Sequence, residues 1–356
     1  MRIAITGATG NVGTALLRRL RTEPDVEVRG FARRPPVPGT GAPYDGVEWH
    51  AVDLGDGAAP ERMGTWLGGV DAVVHLAWQI QPSHRRERLR RTNVTGTRHL
   101  LDAMRSAGVT RLLYASSVGT YGPGPKDRPV DESWPATGIA RSGYSVDKAA
   151  VEAMLDQAER EDPRLRITRL RQALVFQRDA GAEITRYFLG PLVPVSLLRA
   201  GRLPVVPANP RLRAQAVHAD DVAEAYLLAL RSDTTGAVNI AAEPPLDGPT
   251  LAAEFGGRPV PVPLPALRAL AAVTWRGRLQ PTDPGWLDLA AAAPIMDCSR
   301  ARETLGWVPR HDARAALRQL VAGLAEGAGT ASAPMRPSGR GVRRLLHGLP
   351  GHRDPA

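Results

Sequence analysis

Cysteine is almost missing from this sequence. Cys298 stands alone among 356 residues, which excludes an internal disulfide and fits a reducing compartment. Long apolar runs are missing as well. No stretch of about 18 uncharged apolar residues occurs, so no membrane span is expected. The chain opens directly on strand-like residues 2–5, without the apolar run of a signal peptide. These absences predict a cytoplasmic protein. Aromatic residues are scarce, at 5%, and no basic stripe carries them, so nucleic acid is not an expected partner despite a formal net charge of +10. Much of that charge sits in one place, since Arg336, Arg340, Arg343, Arg344 and Arg353 face only Asp354 over residues 331–356. The eight histidines show no metal-ligand spacing, and no metal is expected. Lysine is rare too: Lys126 and Lys148 are the two lysines in an arginine-rich chain.

What is present is a rhythm. Residues 2–6, 26–32, 47–52, 72–76, 112–116 and 165–176 read as strands. Helical patterns at 11–21, 59–67, 85–107 and 144–160 separate them. Residues 72–76 are apolar and β-branched, as a strand buried on both faces should be. Such alternation predicts an α/β fold, a doubly wound parallel Rossmann sheet with a smaller C-terminal substrate lobe. The boundaries expected are 1–176 for the NAD(P)-binding part and 177–326 for a lobe that is mainly substrate-binding. Some segments of that lobe, such as the strand at 238–240, return to the main sheet. A helix is expected at 183–188. Residues 327–356, rich in Gly, Ala, Ser, Pro and Arg, read as a disordered basic tail.

The first strand runs into Thr6-Gly7-Ala8-Thr9-Gly10-Asn11-Val12-Gly13. Here Gly7 allows a tight turn, Gly10 lets backbone approach a pyrophosphate, and Gly13 allows close helix–strand packing. The following helix presents unpaired N–H groups to phosphates. A carboxylate that would hold a ribose hydroxyl is absent at the end of the second strand, where Arg33 and Arg34 stand instead. Either can pair with a 2′-phosphate, so NADP is expected over NAD. Asp53 ends the third strand, where it can accept from an adenine amino group or simply begin a turn. The candidate dinucleotide contacts are Gly7, Thr9, Gly10, Asn11, Val12, Gly13, Arg33, Arg34, Asp53, Leu54, Leu76, Ala77, Tyr144 and Lys148.

Tyr144 and Lys148 lie four apart on one expected helix and share a face. A phenol is a poor base at neutral pH, but a neighbouring ammonium lowers its pKa. Tyr144 can then exchange a proton with a substrate oxygen while a nicotinamide exchanges a hydride. Lys148 can also donate to the nicotinamide ribose. Ser117, in Ser116-Ser117 at the carboxyl end of a strand, can hydrogen-bond the substrate oxygen. Trp78 and Gln79 follow the fourth strand near the cleft mouth, as site lining or as core. His218 reads as a helix cap or loop anchor.

Taken in order, the glycine loop, Asn93 within Thr92-Asn93-Val94-Thr95-Gly96-Thr97, the Ser116–Gly122 run and Tyr144 with Lys148 resemble the extended short-chain dehydrogenases/reductases, also called the NAD-dependent epimerase/dehydratase family. Val217-His218-Ala219-Asp220-Asp221-Val222-Ala223 and Leu305-Gly306-Trp307-Val308-Pro309 are similar to its later landmarks. The resemblance spans residues 1–325. It implies a bound nicotinamide cofactor, Ser117 as the catalytic serine, and Asn93 as support for a proton path. The Thr-Asp-Glu run of nucleotide-sugar dehydratases is replaced by Ser117-Val118-Gly119. Ala214 stands where epimerases carry an arginine. The expected function is therefore reversible hydride transfer between NAD(P) and a small-molecule secondary alcohol or ketone. A nucleotide-sugar epimerase with tightly held NAD, or a non-catalytic dinucleotide sensor, are the alternatives. No membrane partner is expected, and room is left for a homodimer.

Overall fold

The computed structural model describes residues 1–189 and 205–337. A seven-stranded, wholly parallel sheet forms its centre, in the order β11-β7-β5-β4-β1-β2-β3. Its strands are β1 (Arg2–Thr6), β2 (Glu27–Ala32), β3 (Glu48–Ala51), β4 (Ala72–His75), β5 (Arg111–Ser117), β7 (Arg166–Gln172) and β11 (Gly236–Ile240). The protein is thus an α/β molecule with a doubly wound sheet. Its strand order reverses between β1 and β4, and at that switch point the carboxyl ends of the strands open a crevice.

Alternation along the strands explains why both faces are covered. In β1, Ile3 and Ile5 enter one core with Leu16 and Leu17 of α1 (Asn11–Leu20) and with Val222 and Tyr226 of the helix Ala219–Arg231. Ala4, between them, enters the other core with Met63 of α2 (Ala59–Trp66) and with Leu100 and Met104 of the helix Gly96–Ala107. The helix expected over 85–107 begins as α3 (Arg86–Arg90), widens into a π-helical turn at Arg91–Thr95, and continues as α4 (Gly96–Ala107). The widened turn carries Asn93.

The single strand expected over 165–176 is two strands. β7 stays in the main sheet, Ala173 donates its N–H to the Ile240 carbonyl at 2.9 Å, and β8 (Leu174–Phe176) leaves for a second sheet. That sheet has the order β12-β10-β8, with β10 (Ala214–His218) and β12 (Ala242–Leu246). Two small pairs complete the described strands: β6 (Pro129–Val130) with β14 (Ile295–Met296), and β9 (Val205–Ala208) with β13 (Arg258–Pro261). Beyond β8 the helix Gly181–Ile184 widens into a π-helical turn at Thr185–Leu189. No helix among the described residues is long and apolar enough to cross a membrane.

One sequence expectation fails at the end of the chain. Residues 327–337 are packed, not loose. After the helix Ala313–Glu326, the chain folds back over the glycine loop. Ser332, fully buried, donates to the Thr9 carbonyl at 2.8 Å, and Thr330 bonds the Tyr44 hydroxyl at 2.7 Å. Met335, also fully buried, packs beside Leu320 and Leu324, and its sulfur takes the Thr14 hydroxyl at 3.4 Å. A composition of small residues signalled a tail, but one thioether and two hydroxyls with buried partners suffice to pin it. Residues 338–356, with Arg340, Arg343, Arg344 and Arg353, lie outside the described residues.

Candidate functional site

A groove runs along the switch point. Its walls include Gly7, Thr9, Gly10, Phe31, Arg33, Val52, Leu54, Leu76, Ala77 and Trp78. Gly7 adopts φ +71 and approaches so closely that an added Cβ would stand 2.6 Å from the Ala77 nitrogen. A Cβ on Gly13 would collide with the Gly7 carbonyl, so this residue packs α1 onto the loop. Gly10 differs: an added Cβ there would meet only the Gly7 carbonyl, at 3.5 Å. It caps α1 without any side-chain bond, which leaves helix N–H groups turned to the groove. A loop of bare backbone at a helix start, between apolar walls, fits a dinucleotide whose pyrophosphate lies over Gly10.

The remaining candidate contacts separate into two sets. Arg33 lines the groove with Leu54, Leu76 and Ala77, whereas Arg34, exposed like Arg33, is not part of the wall. Asn11 is tied elsewhere, donating to the Val175 carbonyl at 3.0 Å and accepting from Gln177 at 2.6 Å. Asp53 accepts from the Gly55 N–H at 2.9 Å, which closes a turn. Val52 and Leu54 on either side of it supply the wall. Sequence reasoning passed over Phe31, Glu183, Tyr187 and Pro334, which also line the groove. Pro334 belongs to the packed C-terminal segment, and Glu183 arrives on the helix after β8. No spacing rule connects either to the glycine loop. Confinement by the groove walls pushes the Glu183 carboxyl up to about 7, with Arg186 opposing.

Tyr144 and Lys148 stand on α5 (Gly143–Glu161), which Ser142 caps by accepting from the Ser145 N–H. Ser117 ends β5 and accepts from the Gly119 N–H at 3.0 Å. Its hydroxyl and the Tyr144 ring both adjoin Gly119. The three groups are thus brought together at the carboxyl edge of the sheet, beside the groove. Burial pushes the Tyr144 phenol up to about 12, and the neighbouring Ser117 hydroxyl only partly opposes this. The Lys148 ammonium lies 5.9 Å from the centroid of the Tyr144 ring and makes its hydrogen bonds elsewhere. It donates to the Ala115 carbonyl at 2.6 Å and to the Tyr114 hydroxyl at 3.4 Å, and it lies 3.6 Å from the centroid of the Trp78 ring. Burial pushes Lys148 down to about 7, with Glu152 opposing.

Asn93 is also reassigned. Its Oδ1 accepts from the Gln79 N–H at 2.7 Å, and its Nδ2 donates to the Gln79 carbonyl at 3.0 Å. Both ends of the amide clamp the chain after β4, so no proton path starts from it in this structure. Trp78 is held in place next to that clamp. His218 caps the helix Ala219–Arg231 through the Asp220 N–H at 3.2 Å, and its other nitrogen meets Gln319 at 2.9 Å. Around Tyr144 the surroundings are largely apolar. Trp286 lies 4.9 Å from its ring and Trp78 6.0 Å, with Ile139 and Val118 alongside. Phe188 meets Trp286 edge-on at 5.0 Å.

Beneath the site lies a buried ion pair. Glu152 accepts from Arg171 twice, at 3.0 and 2.5 Å, and from the Ser116 hydroxyl. Ser116 thus anchors the floor, while Ser117 faces Tyr144.

The sequence profile of the NAD dependent epimerase/dehydratase family matches residues 3–241. An uncharacterized protein of Mycobacterium tuberculosis is 29% identical over 324 residues, which make up 90% of this chain but 30% of that one. This chain therefore spans under a third of that relative's length. A uronate dehydrogenase of Pseudomonas putida is 34% identical over 134 residues, 38% of this chain and 47% of that protein. A short-chain dehydrogenase/reductase superfamily protein from Agrobacterium tumefaciens, solved with bound NAD, superposes with a TM-score of 0.67 at 24% identity. The match covers 91% of this chain and 97% of that one, and the likeness is one of fold.

Proposed function

Because this chain belongs to the NAD dependent epimerase/dehydratase family, we propose that it is an oxidoreductase that interconverts a secondary alcohol and a ketone, with Tyr144 exchanging the proton. The observation that carries this reading is that Ser117 and Tyr144 converge over Gly119 at the carboxyl edge of the sheet, one helical turn from Lys148 and beside the groove. When bound, a nicotinamide dinucleotide supplies or takes up the hydride. The chain handles the proton. With its pKa raised to about 12, Tyr144 keeps its proton at neutral pH and is poised to donate it to a carbonyl oxygen as the carbon accepts hydride. Ser117 steadies the charge that gathers on that oxygen. The reverse reaction returns the alcohol proton to the phenolate. The rings of Trp78 and Trp286 around Tyr144 exclude water from that exchange. The test is a panel of ketones and secondary alcohols followed by dinucleotide absorbance. Turnover with at least one is expected, and none across both directions, with nucleotide sugars included, would sink the reading.

Two predictions concern the cofactor. Gly10→Val is expected to fold, since its Cβ meets nothing closer than ordinary contact, and to place methyl groups where a pyrophosphate approaches. Calorimetry should show dinucleotide affinity lost by at least about tenfold, roughly 1.4 kcal/mol. Unchanged affinity in the folded variant would remove the pyrophosphate from this loop. The choice of NADP over NAD is assigned to Arg33, the arginine of the pair that lines the groove. A charged hydrogen bond contributes roughly 1.5–3 kcal/mol, and exposure at the groove edge pulls it toward the low end. A preference of about tenfold for NADP is therefore expected, lost in Arg33→Ala and retained in Arg34→Ala. Equal affinity of the wild type for both dinucleotides rejects this assignment.

A further inference from the structure

Besides shielding the proton exchange set out above, Trp78 makes the closest aromatic-ring contact to the ammonium of that site. An ammonium has three N–H donors. On Lys148 one goes to the Ala115 carbonyl at 2.6 Å, one to the Tyr114 hydroxyl at 3.4 Å, and the remaining direction is closed by the Trp78 ring, whose centroid is 3.6 Å from Nζ. The first two partners belong to β5, deep in the sheet. Trp78 lies on the chain leaving β4 and is a wall residue of the dinucleotide groove. The ring thus separates the groove from the one ammonium that could meet a ribose at its nicotinamide end.

We propose that Trp78 is a displaceable cap on Lys148. Its ring shields the ammonium by a cation–π contact, and it must vacate that position before Lys148 can donate to a nicotinamide ribose. The inference rests on the reading that the nicotinamide end of the dinucleotide reaches Lys148.

Two further features support a cap that moves. Trp78 is only half-buried, so its ring has a route outward. Its indole N–H is buried without a partner in this position. A donor left unsatisfied is unfavourable, so departure lets that N–H find an acceptor or water. What holds the ring in place is its face on the ammonium and its edge on Tyr144, at 6.0 Å between centroids. The backbone need not shift, because the Asn93 clamp fixes the next residue, Gln79, and leaves rotation to the Trp78 side chain. Trp78 therefore acts through Lys148 and is a positioning residue.

The test is a calorimetric cycle with NAD and NADP as the titrants. Trp78→Leu keeps an apolar side chain but has no π face. It is expected to tighten dinucleotide binding by about 2- to 30-fold, the equivalent of the ~0.5–2 kcal/mol of a cation–π contact that no longer has to be broken. Trp78→Ala should move in the same direction and serves if the leucine variant does not fold. In a Lys148→Met background there is no ammonium to uncap, so Trp78→Leu should change affinity by less than about twofold. Unchanged or weaker binding in Trp78→Leu, or equal tightening in both backgrounds, would overturn the cap. Lys148→Met alone separates this from the reading beneath it. If that variant binds as the wild type does, the nicotinamide end does not reach Lys148 and both inferences fall. If it binds more weakly while Trp78→Leu gains nothing, only the cap falls.

Discussion

Replacing Tyr144 by phenylalanine is expected to lower turnover by about 10²–10⁴-fold while leaving dinucleotide affinity within about twofold. Only the hydroxyl is lost, so the contacts of the ring with Trp286 and Trp78 persist and the fold around it is kept. The pH dependence carries extra information. The free-enzyme phenol is pushed up to about 12, above its ordinary value near 10, because it is enclosed, and the neighbouring Ser117 hydroxyl compensates only in part. Carbonyl reduction uses the protonated form, so its rate should not fall through loss of this proton anywhere below pH 10. Alcohol oxidation needs the phenolate, and its rate should climb with pH over the same range. Steady-state kinetics in both directions, with calorimetry of the dinucleotide, would check these outcomes. A Tyr144→Phe protein that turns over like the wild type would leave Ser117, Tyr144 and Lys148 as neighbours without a shared reaction.

The second large effect is on stability. Arg171→Met should lower the free energy of unfolding by about 3–5 kcal/mol, the loss typical when one partner of a buried ion pair is removed. Arg171 and Glu152 are 5% and 3% exposed, and the two make paired hydrogen bonds. Removing the guanidinium leaves the Glu152 carboxylate buried with only the Ser116 hydroxyl facing it. It also frees the Glu132 carbonyl, which Arg171 holds at 2.9 Å. Adding Glu152→Leu to Arg171→Met removes the uncompensated charge, so the double variant should be more stable than the single one. Denaturant melts of the three proteins would decide. A single variant within about 1 kcal/mol of the wild type would show that the pair under β5 is not holding the floor of the site.

The parallel sheet was legible because its strands obey a strong local rule. Residues such as Ile3, Ala4 and Ile5, or Val73 and Val74, are apolar on both sides, and a strand of that kind has to be covered by helices. Gly7 and Gly13 were legible for a similar reason, since each has backbone so near that no side chain would fit. Groups whose role depends on orientation were not. Asn93 and Asp53 are residues with a choice of partners, and both bond backbone close by. Helical spacing places Lys148 on the same face as Tyr144 but does not say which groups its ammonium meets. That depends on Ala115 and Tyr114 of β5 and on Trp78 beyond β4. The break between β7 and β8 was hidden because the apolar pattern runs on through Ala173, and only the chain's second sheet reveals the change of partner.

The packed segment after residue 327 has a consequence for how the molecule comes together. Thr9 and Ser332 meet across a sequence separation of 323. Closing so wide a loop is entropically unfavourable, although the cost grows only with the logarithm of its length. Such a seam returns that cost only after the central sheet, its helices and the helix Ala313–Glu326 are in place, which makes it a late step of folding. It is held by Ser332, Thr330 and Met335, by Arg186 donating to the Arg336 and Pro334 carbonyls and by Ala182 donating to the Ala328 carbonyl, and not by a sheet. Local opening of this kind is low in free energy compared with global unfolding. The nucleotide groove can therefore exist in a sewn and an unsewn form within one folded protein. A chain cut at residue 326, where composition alone invites the cut, would be confined to the second.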